Sequence, residues 1–183
     1  MRQLDPFSDN RLLASCVFCG DISDTRDHVP SKTFLDKPYP ENLPVVGCCE
    51  DCNRGFSMDE QYLACLIECV ICGSTDPESL QRSSISKTLI RSQKLRERLQ
   101  DAMSEVEGIT QIQIEPERVN NVMLKLARGH AAYELSQPVR IAPTKFWCGN
   151  IESLSEEDKE IFEAIPEQQS IGEIGSRNMQ RLA

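Results

Sequence analysis

Two Cys-x-x-Cys pairs, Cys16/Cys19 and Cys49/Cys52, constrain what this chain can fold into more than any other feature, and 29 residues lie between them. A two-residue gap lets one tight turn present both sulfurs to a single ion. Two such pairs therefore suit a tetrahedral Zn²⁺ that closes the intervening segment into a loop. Gly20, directly after the first pair, fits the turn of such a knuckle. Two alternatives stay open. Cys48 adjoins Cys49 and could replace it, although Cys49 alone keeps the two-residue spacing to Cys52. A third pair, Cys69/Cys72, could complete the site with Cys16/Cys19. Against this, Cys65, Cys69 and Cys72 recur at helical spacing in an apolar stretch, which reads as buried core thiols.

Eight of the nine cysteines lie between Cys16 and Cys72. The opening residues, Met1 to Pro6, lack the apolar core of a signal peptide, and no apolar run reaches the roughly 18 residues that would span a bilayer. The expected setting is the cytoplasm, where thiols stay reduced and available to metal. The predicted organisation is a cysteine-rich module over residues 1–73 followed by a mostly helical region over 74–183.

In the first part, residues 59–71 are apolar almost all round, with Asp59 and Glu60 at their start, and predict a buried helix. In the second part, Ile85, Leu89, Leu95, Leu99, Met103 and Val106 define one face of a single helix over 84–106. Lys87, Arg91, Lys94 and Arg98 fall on a stripe opposite. Pro116 suits the first turn of a helix that runs to about Ala132, with Gly129 weakening its end. Short extended segments are expected at 139–142 and 145–148, a helix capped by Ser155 over 155–164, and a possible strand at 171–175.

Charge is distributed unevenly. The chain has a formal charge of −9, and residues 1–72 hold twelve acidic and six basic residues. Residues 82–98 hold six basic residues and one acidic, a surplus of five positive charges. An acidic chain is a poor freestanding nucleic-acid binder, because sequence-independent affinity comes from cations that neutralise phosphates. The basic stripe is nevertheless a candidate phosphate-tracking face, with an ordinary solvated helix face as the simpler alternative.

Between the preferred cysteine pairs stand Asp27-His28-Val29-Pro30 and Asn42-Leu43, and Asn53 follows Cys52 directly. A histidine can take a proton from water near neutral pH, which makes His28 a candidate general base. A carboxylate and an amide oxygen are hard donors, so Asp27 and Asn53 are candidate ligands for Mg²⁺ or Mn²⁺. Asn42 can hydrogen-bond across the loop that carries His28 and orient it. His130 has no partners at suggestive spacing and reads as a core or capping residue.

The order Cys-x-x-Cys, Asp-His-x-x-Pro, Asn-Leu, Cys-x-x-Cys-Asn resembles the HNH endonucleases of the ββα-metal fold, in the subgroup with a four-cysteine zinc site. The resemblance covers about residues 14–60, and more broadly the run from Cys16 to Tyr62 is similar to small bacterial HNH proteins. It implies an α+β fold: a zinc-stapled hairpin and helix wrapped around the catalytic metal, followed here by a mostly helical region with a few short strands. Asp27 maps to a metal ligand, His28 to the base, Asn42 to the middle asparagine, and Asn53 to the final position, where many members have histidine. The 11 residues from Asn42 to Asn53 are a longer spacing than the family pattern leads one to expect. The implied activity is metal-dependent cleavage of nucleic acid, with DNA favoured. Because of the negative charge, a protein partner that delivers the substrate is expected, and a role in phage defence is suggested by the resemblance alone. Two other readings compete: a non-catalytic zinc adaptor that binds another protein, and a thiol redox protein using Cys69/Cys72, which the apolar setting of those thiols disfavours.

Overall fold

The computed structural model describes residues 14–144, 146–148, 154–164, 170–172 and 179–181. It mixes helix and strand, as the α+β expectation requires. The first unit is a knuckle. The Cys16 amide donates to the Asp21 carbonyl at 2.7 Å, and the Gly20 amide to the Cys16 carbonyl at 2.9 Å. Gly20 sits at φ +96°, which a residue with a Cβ adopts at a cost.

Strand β1 (Thr25–His28) pairs antiparallel with β2 (Val45–Cys48), with Asp27 opposite Val46 and His28 opposite Val45. The long connection between them is held by its own backbone, with the Val29 amide on the Pro44 carbonyl at 3.0 Å. Helix α1 (Glu50–Cys72) follows β2 at once. Cys49 caps it, accepting the Cys52 amide on its sulfur at 3.4 Å, and Glu50 and Asp51 add negative charge to the first turn. Gly73 ends the helix at φ 62°, in the left-handed conformation that glycine adopts most readily.

The helix expected over 59–71 is therefore the second half of a longer one. Asp59 and Glu60 lie in its middle rather than at its start.

The single helix expected over 84–106 is three elements: α2 (Ser83–Arg91), α3 (Gln93–Ala102) and strand β3 (Met103–Val106). Ser92 leaves helical geometry at ψ 76° and breaks the run, and β3 forms a hairpin with β4 (Ile109–Ile112). A 3.6-residue apolar period persisted across the break because α2 and α3 both rest on α1. Helix α4 (Pro116–Leu135) begins at Pro116 as expected and ends at Leu135, a little beyond the expected end near Ala132. Helix α5 (Glu156–Glu163) is capped by Ser155, which accepts the Asp158 amide. No strand forms at 139–142. Of the segment expected at 145–148, residue 145 lies outside the described residues and 146–148 are not in a strand. Strand β5 (Ser170–Gly172) pairs with β6 (Met179–Arg181), and residues 173–175 lie outside the described residues.

Among the described residues two apolar clusters make the core. One gathers Tyr62, Leu63, Leu66 and Cys69 of α1 with Ile85 and Leu89 of α2, Leu99 of α3 and Val122 of α4. The other gathers Cys16, Val17, Phe18, Val29, Val46, Cys48 and Cys49 with Ala132 of α4. Helices α1 and α4 thus run through both, and α4 reaches the cysteine knuckle from the second half of the chain. The core role expected for Cys65 and Cys69 agrees with their complete burial, whereas His130 is exposed on α4 rather than buried. Among the described residues no helix is long and apolar enough to cross a membrane.

Candidate metal centre and the hairpin that adjoins it

The thiols of Cys16, Cys19, Cys49 and Cys52 lie within 4.8 Å of one another. Four sulfurs at about 2.3 Å from a tetrahedral zinc stand roughly 3.8 Å apart, and Cys19 and Cys49 already lie at 3.6 Å. The cluster could hold a zinc ion. Cys48 is excluded from it by strand alternation: it closes β2 fully buried, and its thiol donates to the Cys49 carbonyl at 3.3 Å. Cys49 is turned toward the knuckle instead, which agrees with the preference for the two-residue spacing. Cys69 and Cys72 lie elsewhere on α1, and the Cys72 thiol points to Glu68 at 3.7 Å.

The four thiols are not equivalent. Burial pushes the Cys16 thiol up, but backbone hydrogen bonds around Cys49, Cys19 and Phe18 outweigh it and bring it down to about 6. Cys19 is pulled down by the Asp21 backbone, yet burial and its sulfur neighbours leave it raised to about 11. Burial is the largest cause of the upward shift at Cys52. A thiolate at Cys16 is therefore available before those of Cys19 and Cys52, from which a metal must displace protons.

The hairpin places the expected site residues as follows. His28 ends β1 half-buried, and its imidazole is held below the ordinary value by burial first and then by the nearby Lys32 and Lys125. Asn53, on the first turn of α1, donates to the Thr25 hydroxyl at 3.3 Å. Thr25 and Asp27 lie two residues apart on β1, so Asn53 meets the strand face that carries Asp27. Asn42 is exposed, and among the described residues its side chain makes no hydrogen bond to the loop it was expected to brace. The backbone bond from Val29 to Pro44 ties that loop instead.

Asp27 is 6% exposed, and its carboxylate faces the ammonium of Lys125, with Oδ1 at 3.0 Å and Oδ2 at 2.8 Å from Nζ. Glu60 of α1 binds the same ammonium from its other side. Burial raises the Asp27 carboxyl, and Lys125 opposes part of that rise. An Asp27 engaged by an internal cation does not fit the expected Mg²⁺ ligand.

Lys125 and Glu60 were not found from the sequence. The available signal was that Val122, Lys125, Gly129 and Ala132 share the buried face of α4, where a lysine needs a partner.

The basic stripe divides in the same way. Lys87, Arg91, Lys94 and Arg98 are exposed, but they sit on two helices, and Arg98 pairs with Glu115 at 2.7 Å. Arg96 pairs with Asp76 at 3.2 Å. Arg82 bonds Asp36 at 2.8 Å and the carbonyls of Thr33 and Leu35, clamping the loop beyond His28. Lys87, Arg91 and Lys94 remain unpaired among the described residues.

Compared with protein-family models, with curated proteins and with solved structures, the chain matches none.

Proposed function

We propose that the chain hydrolyses phosphodiester bonds of nucleic acid as an HNH-type endonuclease, DNA being the favoured substrate, with His28 as general base. One observation carries the reading. A strand–loop–strand–helix unit closed by four cysteines holds at the end of β1 a histidine that burial and two lysines bias toward its neutral form. A neutral imidazole near pH 7 can accept a proton from an attacking water. Asn53 of α1 meets, through Thr25, the strand face that carries Asp27, which also supports the resemblance to the family motif. Lys32 is near His28, and Lys87, Arg91 and Lys94 offer further phosphate contacts. Four such cations on a chain of charge −9 give weak, salt-sensitive binding, so a partner that delivers the substrate belongs to the reading. An effector role in phage defence rests on the resemblance alone.

A second reading, a non-catalytic zinc-stapled adaptor, is favoured by the Lys125 ammonium on Asp27. The assay that separates them incubates supercoiled plasmid with Mg²⁺ or Mn²⁺. Loss of about 10²–10⁴ in nicking rate for His28→Ala is expected of a general base. Equal background from wild type and variant sinks the endonuclease.

A further inference from the structure

We infer that the Lys125 ammonium holds the place of a divalent cation between Asp27 and Glu60, so that lysine and metal are mutually exclusive occupants of one buried site. The inference bears on the endonuclease reading, whose family pattern gives Asp27 to the metal, but it concerns only which cation two carboxylates hold.

The two carboxylates come from different elements, β1 and α1, and converge on one point. That point is filled by Lys125 from α4, whose side chain is 1% exposed, against 7% for Asp27 and 8% for Glu60. The Asp27 Oδ2 atom is buried and has no hydrogen-bond partner apart from its ion pair with the ammonium. The Phe56 ring closes another side, 5.6 Å from Nζ to its centroid. Water is thus largely excluded from a group of three charges.

The charge balance is incomplete. With both carboxyls ionised, one ammonium against two carboxylates would leave a net negative charge in a buried place, and burial raises the Asp27 carboxyl against it. A divalent cation with oxygen preference would neutralise both carboxylates. It cannot enter while the ammonium is present, and the ammonium is not on a mobile arm. Val122, one turn before it on α4, is fully buried. Gly129, one turn after it, lies so close to Val29 that an added Cβ would stand 2.6 Å from a Val29 methyl. Packing on both sides of Lys125 holds its stem in line with the carboxylates.

The test measures Mn²⁺ binding by electron paramagnetic resonance on zinc-loaded full-length protein, for wild type, Lys125→Met and Lys125→Gln. Wild type should take no Mn²⁺ at a concentration that fills one new site in the variants. That new site should weaken at least about tenfold when Asp27→Asn or Glu60→Gln is added, as expected for loss of a ligand. Should the variants fail to fold alone, Mn²⁺ should restore their helical circular dichroism. Asp27-dependent Mn²⁺ binding by wild type overturns the inference. So does a Lys125 variant that neither binds Mn²⁺ nor is refolded by it. The readout is binding, so nuclease activity, present or absent, does not enter it.

Discussion

Gly129→Ala sets two effects of opposite sign against each other, and the structure says which wins. In a helix interior, glycine to alanine stabilises by about 1 kcal/mol. At this position the new Cβ would stand 2.6 Å from Val29 Cγ2 and 3.1 Å from Cγ1, against an ordinary carbon contact of about 3.5–4.0 Å. Val29 cannot turn aside easily: it is fully buried, β-branched, and its amide is bonded to Pro44. Forcing a methyl into a packed contact costs roughly 1–3 kcal/mol, which less the propensity gain leaves a net loss of about 0–2 kcal/mol, a fall of up to roughly 8 °C in Tm for a chain of this size. Thermal unfolding of Gly129→Ala, Val29→Ala and the double variant forms a cycle. The double should be more stable than the sum of the singles by at least about 0.5 kcal/mol, because Val29→Ala vacates the space the new methyl needs. A Gly129→Ala protein more stable than wild type, or a cycle whose two changes simply add, would refute the close packing of α4 on the hairpin loop.

Lys125→Met should destabilise the metal-free chain by about 3–5 kcal/mol in urea unfolding, since it strands two buried carboxylates, and adding Asp27→Asn with Glu60→Gln should recover part of that loss. Reversing Lys87, Arg91 and Lys94 to glutamate should abolish DNA binding at low salt in a mobility-shift assay. Arg98→Glu should weaken it less, because Arg98 is already neutralised by Glu115. His28 binds its proton less readily in the folded chain than in the unfolded one, so its contribution is constant above the unfolded value of about 6.5 and turns against folding as pH drops below it. Between pH 7.5 and 5.5 the Tm of wild type should therefore fall further than that of His28→Gln; equal falls would count against a perturbed His28.

The four-cysteine cluster was legible because its information is local: two-residue gaps force shared turns, and the residue after β2 has to point away from Cys48. The basic stripe was misread where local periodicity is blind. Apolar spacing runs on through Ser92, and nothing in residues 84–106 alone reveals that Met103 to Val106 have a strand partner at Ile109 to Ile112. Gly129 showed the same limit. Helix propensity marks it as a weak point, whereas its neighbour Val29, 100 positions earlier, makes it a close-approach point. Asp27 was chosen for its chemistry and its place beside His28, but its partner is 98 positions away on another helix. Burial and pairing of that kind are tertiary facts, and they decide whether a carboxylate is open to a metal.

Four thiols join the knuckle before the hairpin to the start of α1. Metal analysis of protein purified without chelator, with X-ray absorption at the zinc edge, should give one zinc per chain bound by four sulfurs at about 2.3 Å. Cys49→Ser should lose that metal and Cys48→Ser should keep it. A wild-type chain with well under one zinc, or a Cys48→Ser protein that loses its metal while Cys49→Ser retains it, would contradict the arrangement from which the rest is built.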